Sequence, residues 1–278
     1  MTGFGGQACA IRAWPSWGSR ERVWERHPAE SDRRVSHFLW VKFDEHTPPK
    51  QGENLYPARI KIGIGAAKRD GIMKGKFISF EGSEGSGKST QSKLLYQYLK
   101  RKGLKTVCLR EPGGTKASEK IRKILLDHKN DSITPLSEML LYMAARVQLV
   151  KEIILPALKK GKIVICDRFL DSTIAYQGYG LGIDIGLIKF LGEYVTSGIK
   201  PNLTIFLNLP LKKGLRHREN TKDRIEKRSF TYHSRVLKGY FKLAALEPRR
   251  IKIIKVDKDK NKTQTKIREL VDKFLRKK

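Results

Sequence analysis

The sequence predicts a three-layer α/β protein in which helices flank a five-stranded parallel sheet. From residue 76 onward, short runs of Val, Ile, Leu and Phe alternate with longer stretches that repeat apolar residues at helical spacing. Such alternation is typical of strands joined by helical crossovers, which makes neighbouring strands parallel. The nearly continuous apolar character of the strand segments indicates that both faces of the sheet are covered.

The elements follow from these two patterns in chain order. The five predicted strands are the apolar runs at residues 76–81, 106–109, 162–166, 203–207 and 251–256. The predicted helices are the amphipathic segments at residues 88–98, 118–127, 136–158, 183–195, 229–246 and 263–275. We expect the long helix at 136–158 to break near Pro156, because proline removes a helical hydrogen bond and clashes with the preceding turn.

The composition of the chain changes near Met73. All four Trp residues precede it, and the first 72 residues carry eight Arg and four Lys, whereas the residues after position 72 carry 14 Arg and 32 Lys. The early segment shows no sustained helical or strand period. We therefore expect residues 1–72 to be a disordered extension outside a catalytic domain at 73–278, and we hypothesise that translation begins at Met73. A targeting peptide and a small accessory module are the alternatives, although acidic residues such as Glu21 and Asp32 argue against a transit peptide.

The bulk composition predicts a cytoplasmic protein that acts on small molecules. No apolar run reaches the roughly 18 residues of a membrane span, and Cys9, Cys108 and Cys166 show no paired or metal-binding spacing. The net charge of +30 is compatible with nucleic-acid binding, but no aromatic residues are interleaved with the scattered lysines as a base-stacking surface requires. We expect a lysine-rich solvated surface that attracts nucleotide phosphates, and we consider a basic nucleic-acid-binding ATPase the less favoured alternative.

Residues 82–89 read Gly-Ser-Glu-Gly-Ser-Gly-Lys-Ser, which is the complete G-x-x-x-x-G-K-[ST] pattern between a predicted strand and a predicted helix. In this context the backbone N–H groups and the helix N-terminus hold nucleotide phosphates, Lys88 reaches the β- and γ-phosphates, and Ser89 ligates Mg²⁺. A chance glycine-rich turn is the alternative. The pattern predicts a P-loop NTPase fold whose ATP-binding residues are Gly82, Ser83, Glu84, Gly85, Ser86, Gly87, Lys88, Ser89 and Thr90.

Further polar segments follow the predicted strands, at the edge where open α/β sheets bind ligands. Residues 110–115 read Arg-Glu-Pro-Gly-Gly-Thr after the second strand, and residues 167–178 begin with Asp-Arg-Phe after the third. Tyr142 and Arg146 are four residues apart on the long helix and therefore share one face. That pair could stack on a planar ring and bond its edge, whereas ordinary core packing is the alternative for Tyr142.

These segments together resemble the thymidylate kinase family in its bacterial type. The resemblance spans residues 73–278 in order and is carried by Phe-Glu-Gly-Ser-Glu-Gly at 80–85, the turn at 110–115, Ala-Ala-Arg-Val-Gln at 144–148 and Ser-Thr-Ile-Ala-Tyr-Gln-Gly at 172–178. It implies the reaction ATP + dTMP giving ADP + dTDP, with Mg²⁺ as cofactor, a homodimer and a short mobile lid. Another small P-loop kinase with a different nucleotide or nucleoside acceptor is the nearest alternative.

The resemblance also implies a role for each matching residue. The implied catalytic residues are Lys88, Asp167, Arg168 and Arg224, with Ser89 and Asp167 at Mg²⁺. The implied dTMP-binding residues are Glu84, Arg110, Tyr142, Arg146, Arg168, Ser172, Thr173, Tyr176 and Gln177. Because the phosphate loop contains no arginine, a lid at residues 216–224 supplies one in this type of enzyme; Arg218 is expected at ATP, and which lid arginine is catalytic stays open.

Two residues depart from the family pattern. Asn202 and Asn208 stand where an acid is frequent, before and at the end of the fourth predicted strand. Both lie outside the expected phosphate contacts, so we expect them to alter local hydrogen bonding more than activity.

Overall fold

The computed structural model describes residues 74–216 and 223–276. The expectations for residues 1–72 and for Arg218 lie outside this range. Within it, five parallel strands form one sheet in the order β2-β3-β1-β4-β5. The strands are β1 at Lys76–Glu81, β2 at Thr106–Arg110, β3 at Ile163–Asp167, β4 at Leu203–Asn208 and β5 at Ile251–Lys255. The predicted α/β class and parallel five-stranded sheet are confirmed.

Helices cover both faces of this sheet. They are α1 at Lys88–Arg101, α2 at Lys116–Leu126, α3 at Pro135–Leu149, α4 at Leu155–Lys159, α5 at Leu170–Thr173, α6 at Ile185–Thr196, α7 at Leu211–Arg216, α8 at Phe230–Leu246 and α9 at Lys260–Arg276. Several begin at hydroxyl or carboxylate caps: Thr115, Thr134, Asp184 and Ser229 each accept a hydrogen bond from the backbone N–H three residues later. None of the described helices has the length and apolar content needed to cross a bilayer.

The long helix differs from the sequence prediction at Pro156. The chain does not break there, because a π-helical turn at Val150–Ile154 joins α3 to α4, and Pro156 lies in the first turn of α4. The wider π turn absorbs the missing proline N–H without ending the helical path. A second π-helical segment, Ile174–Gly180, continues α5. The sequence patterns did not predict it.

Strand β1 lies at the centre of the sheet, between β3 and β4. Its alternate side chains face opposite layers: Ile78 and Phe80 pack with Leu95 of α1 and Ile267 of α9, whereas Phe77 packs with the cluster that contains α4. Phe80 is opposite Asp167 in the β1–β3 pair. This register brings the loop after β1 beside the Asp167–Arg168 segment after β3, at the carboxyl edge of the sheet.

The two family departures differ in what the structure shows of them: the Asn202 side chain has a partner, and Asn208 is bonded through its backbone. Asn202 pairs twice with Phe77, accepting from its N–H through Oδ1 at 2.8 Å and donating its own N–H to the Phe77 carbonyl at 2.8 Å. The backbone carbonyl of Asn208 accepts from Val256 at 3.0 Å. An asparagine oxygen therefore makes the strand-entry hydrogen bond that a carboxylate would otherwise accept.

Candidate active site

The loop between β1 and α1 requires glycine at two places. Gly87 caps α1 with φ 87°, in the left-handed region. Gly85, at φ 68°, approaches the backbone of α7 so closely that a Cβ atom would lie 2.0 Å from the Gly214 carbonyl oxygen. The loop and the start of the lid region are thus in backbone contact. No feature of the sequence predicted the partner glycine.

Lys88 is folded into this loop. Its ammonium is buried and donates to the Ser83 carbonyl at 2.8 Å and to Ser86 Oγ at 3.4 Å. Burial, together with the neighbouring Arg168 charge, lowers the pKa of Lys88 to about 8, although Glu84 and Asp167 oppose the shift. A phosphate bound at the loop would place a negative charge beside this ammonium group.

Ser89 and Asp167 meet across the β1–β3 boundary. Ser89 Oγ donates to Asp167 Oδ2 at 2.5 Å, and Asp167 Oδ1 is buried with no hydrogen-bond partner among the described residues. Oxygen donors of this kind are the ligands that Mg²⁺ prefers, and Mg²⁺ bound to nucleotides uses only one or two protein ligands. The unpaired Asp167 oxygen and the Ser89 hydroxyl therefore fit a magnesium ion held together with nucleotide phosphates.

Arg168 extends from β3 across the phosphate loop. Its backbone has φ 72°, an uncommon conformation outside glycine, and its Nη2 donates to Glu84 Oε1 at 2.7 Å. Tyr176 donates to the same oxygen at 2.7 Å, and the guanidinium lies 4.8 Å from the Tyr176 ring centroid. Although burial opposes ionisation, Arg168 and Lys88 hold the pKa of Glu84 at about 2. The result is a charged carboxylate beside two cations.

A second carboxylate, Glu81, supports the turn that carries Arg168. Its two oxygens bond the Phe169 backbone N–H at 2.8 Å, the Ser172 hydroxyl at 2.5 Å and the Tyr240 hydroxyl at 3.0 Å. The side chain is fully buried. Burial, together with the nearby Asp171 charge, raises the pKa of Glu81 to about 8. Sequence reasoning did not assign this residue a role.

Replacing Glu81 by Gln is expected to flatten the pH dependence of stability. Between pH 4.5, its ordinary pKa, and about 8 the folded protein retains a proton that the unfolded chain has released. The free energy of unfolding therefore falls as the pH rises through this window, and the full loss is present above it. Because Gln does not titrate, the free energy of unfolding of E81Q minus that of wild type should increase with pH.

Chemical denaturation from about pH 5 to about pH 9 measures this difference. Glu193→Gln, at an exposed position of α6, is the matched control and should follow the wild-type curve. Parallel curves for E81Q and wild type would contradict the assignment.

The opposite side of the site is one face of α3. Arg146 is almost fully buried, pairs with Glu111 at 2.8 Å and donates to Thr173 Oγ1 at 2.9 Å. Tyr142, one turn earlier, lines the same space. Burial raises the pKa of the Tyr142 hydroxyl, so it stays protonated. The face that the spacing of these two residues predicted does point toward the carboxyl edge of the sheet.

One cavity of 360 Å³ connects these groups. The predicted residues that line it are Glu84, Gly85, Gly87, Lys88, Ser89, Thr90, Arg110, Tyr142, Arg146, Asp167, Arg168, Ser172, Thr173, Tyr176 and Gln177. Gly82, Ser83 and Ser86 lie in the loop but not in this lining. Lining residues that sequence reasoning missed include Glu111, Arg122, Asp223 and Glu226; Glu111 belongs to the 110–115 motif, which was the available signal for it.

Arg224 does not reach the cavity. Its Nη2 donates to the buried Glu138 Oε2, and its Nε donates to the Leu125 carbonyl at 3.0 Å. The predicted catalytic role would require these bonds to break. Arg110 lines the cavity but is half-exposed, and its guanidinium pairs with Glu119 at 3.0 Å. The arrangement therefore supplies two cations at the phosphate end, the buried Lys88 and the partly buried Arg168, before any lid residue is added.

A phosphate-binding loop at the carboxyl edge of a parallel sheet, opening on a cavity with a second set of charged side chains, defines a nucleotide-binding protein of the P-loop class. The sequence pattern of the family described as thymidylate kinase matches residues 80–267. The chain belongs to the thymidylate kinase family.

Individual relatives agree with this assignment. The thymidylate kinase of Thermoanaerobacter sp. (strain X514) is 47% identical over 204 residues, which cover 73% of this chain and 100% of the relative. That of Kosmotoga olearia is 49% identical over 180 residues, covering 64% and 86%. The crystal structure of thymidylate kinase from Ehrlichia chaffeensis superposes with a TM-score of 0.60 at 35% identity, covering 71% of this chain and 98% of the other.

Proposed function

We propose that this protein transfers the γ-phosphoryl group of ATP to dTMP, giving ADP and dTDP. One observation carries the proposal: the phosphate loop and the α3 face that contains Tyr142 and Arg146 open on the same cavity. This chain matches the thymidylate kinases named above over 86% to 100% of their length. A donor site and an acceptor site in one space are what a direct phosphoryl transfer requires.

Alignment of the two nucleotides and neutralisation of phosphate charge account for most of the rate enhancement, because phosphoryl transfer needs little covalent chemistry from the protein. Lys88 lies at the loop and Arg168 extends from β3, so their charges flank the transferring group. Ser89 and Asp167 would hold the Mg²⁺ that accompanies ATP, and the ion would neutralise phosphate charge. Glu84, held ionised beside Arg168, is a hydrogen-bond acceptor suited to the 3′-hydroxyl of the acceptor.

The base of dTMP is assigned to the α3 side of the cavity. Tyr142 offers a ring for stacking, and Arg146, held by Glu111 and Thr173, offers a fixed donor to the base edge. Ser172, Thr173 and Gln177 line the remaining wall. Tyr176, tied to Glu84, would lie against C2′ and disfavour a ribose hydroxyl. A lid arginine, with Arg218 at ATP and Arg224 as the catalytic candidate, completes the proposed set.

A coupled assay of ADP release across acceptors tests the proposal. With ATP and Mg²⁺, turnover should be fastest with dTMP and at least about tenfold slower with dCMP, AMP or thymidine, because the pocket bonds a specific base edge and a 5′-phosphate. Higher turnover with any of those acceptors would favour another small kinase. ATP hydrolysis that requires DNA or RNA and weakens steeply with salt would favour the nucleic-acid-dependent alternative.

We also propose that residues 73–278 contain everything that the reaction needs and act in the cytoplasm, where Cys108 and Cys166, both free thiols, stay reduced. The family match lies within residues 80–267, and the described residues that line the cavity lie between Glu84 and Glu226. A chain beginning at Met73 should therefore keep kcat and both KM values within about twofold of the full chain. A loss of activity beyond tenfold would assign a catalytic role to residues 1–72.

A homodimer is the proposed assembly. Leu136 and Leu140 are exposed one turn apart on α3, and Ile124 of α2 and Leu187 of α6, on helices that contact α3, are also exposed. Burying these side chains against a second copy would remove apolar surface from water. We expect sedimentation velocity to show a dimer and L140E a monomer, while L246E, at an exposed leucine of α8, stays dimeric. A monomeric wild type would refute the assembly.

A further inference from the structure

Glu138 is a buried carboxylate one turn before Tyr142 on the same face of α3. It is fully buried and is not among the side chains that line the cavity. Within the described segments, four hydrogen bonds end on its carboxylate. Arg224 and Arg228 donate to Oε2 at 2.5 and 2.6 Å, and Arg228 and Gln177 donate to Oε1 at 3.2 and 3.0 Å.

Both guanidinium donors have further partners, and the two bonds from Arg228 hold the carboxylate even when Arg224 leaves it for its proposed catalytic role. Arg224 Nε bonds the Leu125 carbonyl at 3.0 Å. Arg228 Nη1 also donates to the Tyr232 hydroxyl at 2.9 Å, and its guanidinium lies 4.8 Å from the Tyr232 ring centroid. Arg224 and Arg228, which follow the lid in sequence, therefore hold Glu138 on one side, and its other side faces Gln177.

The chemistry of Glu138 determines how the Gln177 amide is oriented. A carboxylate bonded to two guanidinium groups presents only acceptor oxygens. Only the NH₂ group of Gln177 can face it, because the amide oxygen would meet negative charge. The amide oxygen is therefore directed elsewhere, and it accepts no hydrogen bond within the described parts of the chain. Gln177 lines the cavity, and its oxygen is the amide atom that Glu138 leaves uncommitted.

An acceptor oxygen at this wall separates two classes of pyrimidine. Thymine and uracil carry a hydrogen on N3, which donates, whereas N3 of cytosine is a lone-pair acceptor. The first class would satisfy Gln177 Oε1, and the second would place two acceptors against each other. A buried polar group left without its partner is a strong basis for rejection.

We propose that Glu138 is a positioning residue for base selection. It holds the Gln177 amide with its oxygen toward the acceptor base and thereby favours bases with an N3–H over cytosine. The inference rests on the proposed phosphorylation of dTMP at this site. Glu138 does not touch the nucleotide, so its effect passes entirely through Gln177.

A double-mutant cycle tests this coupling. The measured quantity is the ratio of the dissociation constants of dCMP and dTMP, obtained by isothermal titration calorimetry on the full chain. Glu138→Gln provides both a donor and an acceptor to Gln177, so the amide can flip, and the ratio should fall about tenfold. Gln177→Met should lower the ratio at least as much, and adding E138Q to Q177M should change it by less than about twofold. The KM for ATP should stay within about twofold of wild type in E138Q.

Arg228→Gln is the matched control within the same cluster. It removes one guanidinium and should lower the melting temperature, yet it leaves an acceptor-only carboxylate opposite Gln177, so the dCMP/dTMP ratio should not change. If E138Q melts too low to assay, Glu138→Asp replaces it. The shorter side chain leaves the carboxylate about 1.5 Å farther from Gln177, and a lower ratio is again expected.

An unchanged ratio in the Glu138 variant, or an equal further loss when E138Q is added to Q177M, would overturn the inference. Because the ratio is a binding measurement, it is separate from turnover. Selective dTMP binding without dTDP formation by the wild-type protein would refute the proposed function alone, whereas normal turnover with an unchanged ratio would refute only the role of Glu138.

Discussion

Replacing Lys88 by Ala is expected to lower kcat on the order of 100-fold or more while the protein stays folded. The side chain is buried in the phosphate loop, and its hydrogen bonds to described residues are to that loop, through Ser83 and Ser86. In the proposed mechanism its removal deletes a positive charge where charge develops in the transition state, which typically costs about 3 kcal/mol. Initial rates with ATP and dTMP, together with the melting temperature, measure both parts of the prediction.

Lys93→Ala is the control for this variant, because Lys93 lies on the same helix but is exposed. Its kcat should equal that of wild type. Burial lowers the pKa of Lys88 to about 8, so above that pH nucleotide binding must first restore a proton. ATP affinity should therefore weaken as the pH rises past 8, and this dependence should be reduced in K88A. A near-normal kcat in K88A would exclude the assigned role.

Replacing Arg168 by Ala is expected to reduce kcat/KM for dTMP by a factor on the order of 1,000. In the proposed mechanism Arg168 combines a charge at the acceptor phosphate with its bond to Glu84, so one substitution removes two contributions to the transition state. The stability should fall as well, because Glu84 is left as a buried carboxylate without its guanidinium. Steady-state kinetics below the measured melting temperature separate the two effects.

Arg250→Ala provides the matched loss of a buried ion pair away from the cavity. Arg250 is 11% exposed and pairs with Asp171 and Glu247, and it does not line the cavity. This variant should lose stability but retain kcat per folded molecule. If R168A and R250A lost the same fraction of activity, Arg168 would be a structural residue and not a catalytic one.

Much of the fold was predictable because its signals are local. The strand runs, the amphipathic helices and the loop at 82–89 each depend on neighbouring residues, and their periods are visible in the chain. The two π-helical segments at Val150–Ile154 and Ile174–Gly180 were not predictable, because one extra residue in a turn leaves the apolar pattern almost unchanged. The break predicted at Pro156 is absent because the preceding π turn, which the sequence did not reveal, leaves the proline in the first turn of α4.

The candidate site also combines features that local sequence predicted with features that it did not. The spacing of Tyr142 and Arg146 predicted that they share one helix face, and the family resemblance implied their place at the acceptor base. The role of Glu81 and the contact between Gly85 and Gly214 depend on elements that lie far apart in the chain, so no spacing indicates them. Arg224 illustrates this dependence most clearly. The family resemblance implied a lid arginine at this position, whereas the structure pairs it with Glu138, which lies 86 residues away in the chain.

The sequence alone determined the α/β class, the nucleotide loop and the resemblance to the thymidylate kinase family, because these are encoded in local patterns and short motifs. Only the tertiary structure decided which charges pair, namely Arg168 with Glu84, Arg146 with Glu111, and Arg224 and Arg228 with Glu138. The strength of a charge pair depends on distance and burial. Neither quantity exists until distant segments of the chain are packed together.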